Sequence, residues 1–362
     1  MLWINGIENQ LKIRVNMAKE DKIKCLVWDL DNTLWKGTLL EDSDVQLDPV
    51  ALDLIKTMDE RGILQSIASK NDHDLAWAKL ESFGISEYFL YPQINWNPKS
   101  DSIKNIAKLI NIGLDTIAFV DDQAYEREEV TFSHPQVMTI DAIDLPKIET
   151  MEVTIPRFIT DDSKQRRKMY QSDIRRNEIE KDFSGAQDEF LNTLGMSLSI
   201  TTARTEDLKR AEELTQRTNQ LNTTAYTYDY DELAFFSQSP DHLLFVAGLD
   251  DKYGTYGKIG LVLVEKSPEI WTIKLLLMSC RVMSRGVGTV LITFLRNLAR
   301  ENGVALRAEF VTNERNRMMY ITYKFNQFKE IETRDNWALL ENDLTTIPEY
   351  PSYMKILTEQ DS

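Results

Sequence analysis

Ile23-Lys24-Cys25-Leu26-Val27-Trp28-Asp29-Leu30-Asp31-Asn32-Thr33 is an apolar run closed by an aspartate-rich turn of the form D-x-D-x-T. A short apolar run bounded by a turn reads as a buried strand, and this one delivers two carboxylates at its carboxyl end. Asp29 is there a candidate nucleophile toward phosphorus, and Asp31, two residues on, a candidate general acid and base. Thr33 completes the turn as a candidate substrate contact. The pentapeptide by itself fits a solvated turn equally well, so the rest of the chain has to decide.

Three further pieces follow, each at the end of a predicted strand. Gly62-Ile63-Leu64-Gln65-Ser66-Ile67-Ala68 reads as a strand, and Ser69 after it offers a hydroxyl to a phosphate oxygen. Asn71 and Asp72 are expected to cap a helix on which Ala76, Leu80 and Phe83 recur at helical spacing until Gly84. Asn97-Pro98-Lys99-Ser100 precedes a helix with an apolar stripe of Ile103, Ile106, Ala107 and Ile110. Lys99 thus sits near a helix amino terminus, where a cation and unbonded N–H groups suit an anion. Thr116-Ile117-Ala118-Phe119-Val120 then brings Asp121 and Asp122 to the same carboxyl edge, where doubly wound sheets bind ligands. Taken singly, Ser69 is also a plausible helix cap and Lys99 a plausible surface lysine.

With Asp29 and Asp31, Ser69, Lys99, and Asp121 with Asp122 in this order, the chain resembles the haloacid dehalogenase superfamily. The resemblance implies a Mg²⁺ ion held by the Asp29 carboxylate, the Asp31 backbone carbonyl and Asp121, with Asp122 as second carboxylate. Oxygen-only ligands suit such a hard cation. It also implies that Lys99 neutralises charge shared by nucleophile and phosphoryl group. About fifteen residues separate Thr33 from a helix opened by Asp48-Pro49, too few for a large cap domain. The interval to Lys99 is filled by one helix and a short extended segment at 88–91. A capless site is expected, covered by a second domain or a protein substrate that excludes water.

At 362 residues the chain suits two domains. Its 42 basic and 58 acidic residues give a formal net charge of -16, which disfavours nucleic acid and anionic membrane surfaces as partners. Two cysteines far apart, Cys25 and Cys280, argue against a disulfide framework and for a reducing, cytoplasmic setting. No apolar run is long enough to span a bilayer. The expected divisions are an N-terminal extension at 1–20, a phosphoryl-transfer domain at 21–150, a helical linker at 151–190 and a second domain at 191–350. Within 160–182, Lys164, Arg166, Arg167, Lys168, Arg175 and Arg176 crowd one predicted helix. Such a run is a solvated face or a landing strip for an acidic partner.

Beyond about residue 190, strands are predicted at 198–202, 243–248, 259–264, 271–278 and 306–311, and helices at 208–219 and 289–300. Ser284-Arg285-Gly286-Val287-Gly288 follows the long apolar strand and opens a helix, so its N–H groups, with Arg285 and Gly286, are candidates for a pyrophosphate or phosphopantetheine phosphate. Met319, Tyr320 and Tyr323 follow on a later helix. This succession looks like the GNAT acyltransferase fold, whose central strands splay to admit a pantetheine arm. Met283 stands where that family's loop usually starts with Gln or Arg. Cys280, at the strand end beside Arg281, is a candidate acyl-accepting thiol whose pKa Arg281 and a helix amino terminus would lower. The alternative is a small buried hydrophobe.

Read whole, the chain resembles the FkbH-like proteins of polyketide biosynthesis, an α/β pairing of a capless haloacid-dehalogenase-type doubly wound parallel sheet with a GNAT-like domain. The marks are Trp28-Asp29-Leu30-Asp31-Asn32-Thr33-Leu34-Trp35, Val120-Asp121-Asp122 with Glu126-Arg127, Glu213-Leu214-Thr215-Gln216-Arg217-Thr218-Asn219-Gln220-Leu221-Asn222, and Met278-Ser279-Cys280-Arg281-Val282-Met283. The resemblance implies that 1,3-bisphosphoglycerate, a small phosphorylated three-carbon substrate, is dephosphorylated. Its glyceryl group would pass through an enzyme thioester, for which Cys280 is the natural candidate, to the pantetheine of an acyl carrier protein. Arg127 is a candidate partner for a substrate phosphate, and Asn219 and Gln220 for hydroxyls or the pantetheine amide. Two other assignments stay open: a Mg²⁺ phosphatase joined to a coenzyme A-dependent acyltransferase, and a phosphatase joined to a non-catalytic carrier-binding module.

Overall fold

The structure is a computed structural model that describes residues 22–42, 44–218 and 220–359. The extension expected at 1–20, and Asn219, lie outside the described residues. The chain divides into two compact units, Met1–Gln171 and Ser172–Ser362.

In the first unit Cys25–Trp28 (β1), Leu64–Ser69 (β4), Gln93–Ile94 (β5), Ile117–Asp121 (β6) and Met138–Asp141 (β7) form one sheet, with Trp35–Lys36 (β2) and Gln46–Leu47 (β3) as a separate hairpin. The sheet order is β5-β4-β1-β6-β7 and every pairing is parallel. Each residue of β1, β4 and β6 is buried, as a parallel sheet covered on both faces requires. The chain winds outward from β1 to one side, returns, and winds to the other through β6, which is the doubly wound arrangement expected. Between Thr33 and the helix Pro49–Glu60 (α1) stands only the β2–β3 hairpin. Asp48 caps α1, its carboxylate accepting from the N–H groups of Val50 and Ala51. The helices His73–Ser82 (α2), Lys99–Ile110 (α3) and Ala124–Ser133 (α4) follow β4, β5 and β6. The extended segment expected at 88–91 is reduced to Phe89, which bridges in parallel to Gln65 of β4: Ser86–Tyr88 is a 3-10 turn, and Tyr91 at φ 51 ends the run before β5.

In the second unit eight strands form one mixed sheet: Met196–Thr202 (β8), His242–Asp251 (β9), Gly254–Lys266 (β10), Ile270–Met278 (β11), Ala305–Val311 (β12), Phe328–Arg334 (β13), Trp337–Asn342 (β14) and Met354–Thr358 (β15). Their order is β13-β14-β12-β11-β10-β9-β8-β15. The parallel pair β11 and β12 is in register only from Ile270 with Ala305 to Ile273 with Ala308, although both strands run on. That divergence is the splay implied by the acyltransferase likeness. Among the described residues, no helix is long and apolar enough to cross a membrane.

The basic run does not form one solvated face. Asp161–Lys164 is a single turn capped by Thr160, and the helix Arg166–Asp182 (α5) starts afresh. In the first unit, Arg166 Nη1 donates to Gly62 O at 2.6 Å, and Arg167 bonds the carboxylates of Asp59 and Glu87 at 2.9 and 2.8 Å. Gly62 has φ 68, and a Cβ there would stand 2.7 Å from the backbone oxygen of Ser163, so a larger residue would be strained. In the second unit, Arg176 is fully buried with both Nε and Nη2 on the Asp251 carboxylate at 2.7 and 2.8 Å. Its guanidinium lies 3.8 Å from the Tyr256 ring centroid. Arg166, Arg167 and Arg176 are thus structural, leaving Lys164, Lys168 and Arg175 exposed. The proposed landing strip loses half of its charges. Arg176→Ala would leave a buried carboxylate without its partner, so urea unfolding should show a loss of about 3–5 kcal/mol. A loss below about 1 kcal/mol, the scale of an exposed pair, would contradict this placement.

Candidate active site

The site grows from the neighbouring ends of β1 and β6. Trp28 pairs with Val120, and Asp29 N–H donates to Val120 O at 2.9 Å, so Asp29 and Asp121 emerge together where the winding reverses. Both carboxylates are buried. Lys99, the first residue of α3, is buried with them, its Nζ 2.8 Å from Asp29 Oδ1 and 2.5 Å from Asp121 Oδ2. Asp122 N–H donates to Thr33 Oγ1 at 3.1 Å, which ties the D-x-D-x-T turn to the end of β6. One carboxylate oxygen each of Asp29, Asp121 and Asp122 lie within 4.8 Å of one another.

This grouping has an electrostatic cost that a cation would relieve. Burial pushes the Asp29 carboxyl up to about 6, against the opposing pull of Lys99; the nearby Asp121 charge adds to the rise and the Ser69 hydroxyl bond offsets part of it. Asp121 is raised by burial despite Lys99, and Asp122 by burial and then by the like charge of Asp29. For Lys99, burial opposes the charge, but the two carboxylates together outweigh it and hold the ammonium above its ordinary pKa. Three carboxylates and one ammonium leave a formal −3 + 1 = −2. Asp122 Oδ1 is, in addition, buried with no hydrogen-bond partner. A divalent, oxygen-seeking cation fits both the charge and the unused acceptor.

The Asp31 carboxylate faces away from that group. Its Oδ1 accepts from Trp35 Nε1 at 2.8 Å and from Leu39 N–H at 3.0 Å, and its Oδ2 from Asn71 Nδ2 at 3.0 Å. Any part of Asp31 in holding a cation therefore falls to its backbone carbonyl. Asn71, expected as a helix cap, is instead a buried positioning residue for Asp31, and Asp72 alone caps α2. The indole of Trp35 also went unremarked in sequence. Its signal was the four-residue spacing from Asp31, and for Asn71 the place just past Ser69. Arg127, expected on a phosphate, donates to the Asp121 carbonyl at 2.7 Å and to the Asp141 carboxylate at 2.5 Å. It braces the ends of β6 and β7.

In the second unit, Cys280 is half-buried at the start of a 3-10 turn just past β11. Arg281 beside it reaches inward, Nη2 donating to Tyr256 O at 2.7 Å. Arg285 and Gly286 do not present an open phosphate loop. Arg285 is buried, its Nη1 on Glu180 Oε2 at 2.8 Å, and the Tyr353 phenol packs against Gly286, which caps the helix Val287–Glu301 at φ 76. Cys25, in β1, is fully buried, and burial raises its thiol far above the ordinary range. Gln220 is half-buried beside the undescribed Asn219.

No protein-family model and no curated protein sequence matches this chain. Solved structures match it in parts. The N-terminal part of protein BF1531 from Bacteroides fragilis, containing a phosphatase domain complexed with Mg, is 28% identical over 35% of this chain, with a TM-score of 0.33. This chain spans 39% of that one. The ribosomal-protein-S18-alanine N-acetyltransferase from Escherichia coli is 18% identical over 42% of this chain and 97% of its own, with a TM-score of 0.33. A Had-superfamily hydrolase from Ehrlichia chaffeensis is 12% identical over 36% of this chain and 97% of its own, with a TM-score of 0.29.

A cation at the three carboxylates competes with the proton on Asp29. Isothermal titration with Mg²⁺ should therefore show an affinity that is nearly level above pH 7 and falls by up to about tenfold per pH unit below the Asp29 value near 6. The same raised carboxyl makes the metal-free fold relatively less stable as pH rises through 6, so the thermal shift produced by Mg²⁺ should grow in that direction. A pH-independent shift would place the ion elsewhere.

Proposed function

We propose that the chain is a Mg²⁺-dependent phosphoryl- and acyl-handling enzyme that removes phosphate from 1,3-bisphosphoglycerate and loads its glyceryl group, through a thioester on Cys280, onto the pantetheine thiol of an acyl carrier protein. The observation that carries the first half is the buried Asp29–Lys99–Asp121 linkage, with the partnerless Asp122 Oδ1 beside it. The half-buried thiol at the end of β11 supports the second.

Asp29 attacks the ester phosphorus, and the bond from phosphorus to the substrate oxygen breaks as an aspartyl phosphate forms. The leaving oxygen takes its proton from Asp31, whose carboxyl leaves the donors of Trp35, Leu39 and Asn71 to reach it. Water then attacks the aspartyl phosphorus, gives its proton to Asp31 and releases inorganic phosphate. Lys99 holds Asp29 in line and offsets its charge. Asp29, Asp121, Asp122 and the Asp31 carbonyl would hold a Mg²⁺ ion, which would supply positive charge where the phosphoryl oxygens crowd. Ser69, at the end of β4 and bonded to Asp29, and Thr33, in the turn after β1, complete the phosphate's surroundings. At the acyl phosphate, the Cys280 thiolate attacks the carbonyl carbon; the carbon–sulfur bond forms and phosphate leaves with the electron pair. The carrier thiol exchanges with that thioester and returns the Cys280 thiol.

Intact and peptide mass spectrometry after incubation with Mg²⁺ and 1,3-bisphosphoglycerate tests both halves. A glyceryl adduct should appear on Cys280 in the wild type and be absent from Cys280→Ala, which should still release ester phosphate. Asp29→Asn should lose ester-phosphate release by at least about a thousandfold. Phosphate release with no adduct in either protein would reduce the chain to a phosphatase with a second unit of another kind.

A further inference from the structure

The diverging pair of β11 and β12 is closed from within. Beyond Ile273 and Ala308 the two strands stop pairing, and the segment 221–224 runs between them. Toward β11, Thr223 N–H donates to Leu276 O at 3.1 Å, Leu276 N–H to Thr223 Oγ1 at 3.0 Å, and Met278 N–H to Leu221 O at 2.9 Å. Toward β12, Val311 N–H donates to Thr223 O at 2.9 Å. Asn316, wholly buried, clamps this side with Nδ2 on Asn222 O at 3.0 Å and on Val311 O at 2.8 Å. Asn222, Thr223 and Thr224 are themselves buried, and Asn222 Oδ1 shapes the exit by accepting the N–H groups of Thr224 and Ala225, the latter at φ 57. The segment is in effect an extra strand filling the splay.

An amide-bearing arm that lies along a strand edge needs the unbonded N–H and C=O groups of that strand. Both backbone groups of Leu276 and the N–H of Met278 are already taken by the chain itself. At the phosphate end, Arg285 is already bonded to Glu180, and the Tyr353 phenol stands where a Cβ on Gly286 would be.

We propose that the second unit takes no coenzyme A: segment 221–224 is a built-in occupant of the cleft and sets the specificity of the unit by excluding that arm. The proposal sharpens the function proposed above by removing one acyl source, but it stands on backbone geometry and not on Cys280. A thiol acceptor would then meet the unit at Cys280, two residues past the last bond made by the segment to β11, without threading the sheet.

Hydrogen exchange of the full wild-type chain, with and without millimolar coenzyme A and acetyl-coenzyme A, tests this directly. The amides of Thr223, Leu276, Met278 and Val311 should stay protected to the same degree in all three samples, and thermal unfolding should not shift. A ligand-dependent shift, or altered protection at any of those amides, would overturn the proposal. In Asn316→Ala, exchange at Thr223 and Val311 should quicken by about tenfold, since one clamp of the segment is gone. Exchange unchanged in that variant would mean that the segment is not what closes the strands. Absence of a Cys280 adduct would remove the thioester assignment and leave the exclusion standing, whereas coenzyme A binding would remove the exclusion whatever happens at Cys280.

Discussion

The ammonium of Lys99 is the constraint on which the first unit depends. Asp29 and Asp121 are forced together because β1 and β6 are hydrogen-bonded neighbours that end at the same level. Two buried carboxylates at that separation repel, and neither is reached by enough water to screen the repulsion. Lys99 relieves it by bonding both, and it can do so because α3 begins at that residue, which fixes the stem just outside the sheet edge. Without the lysine, the geometry that brings the two carboxylates together would also push them apart. The remaining negative charge keeps the group poised for a cation.

The second unit solves a different problem, that of a sheet whose two central strands part. Unpaired strand edges in a core would leave N–H and C=O groups without partners, each costing on the order of 1–3 kcal/mol. Segment 221–224 satisfies several of them at once. Elsewhere in the unit, the buried pair of Arg176 and Asp251 joins α5 to the β9–β10 turn, with Tyr256 stacked on the guanidinium. Bonded polar groups thus join parts of this core that apolar side chains could not.

Much of the first unit was legible because its signals are local. Apolar runs ending in Asp29, Ser69 and Asp121 are strands for the reason that both of their faces are covered, so no alternation is needed to recognise them. The basic run at 160–182 misled for an equally physical reason. A sequence shows charge but not the distant carboxylates of Asp59, Glu87 and Asp251 that draw Arg167 and Arg176 inward. In the second unit, β13 and β15 escaped notice because most of their residues are exposed or half-exposed, which leaves little hydrophobic period to read. The role of segment 221–224 was hidden for a related reason: its partners lie about 50 and 90 residues downstream, and no spacing rule connects them.

The bonds around Asp31 carry a consequence for how its carboxylate is oriented. Trp35 and Leu39 belong to the β2–β3 hairpin and its turn, while Asn71 belongs to the loop after β4. The carboxylate is therefore held by two segments that leave the sheet from different strands, and Trp35 is itself wholly buried in the core. Its direction is set by packing outside the carboxylate cluster, so a substitution that loosened the seat of Trp35 would be felt at Asp31 while leaving Asp29, Lys99 and Asp121 in place.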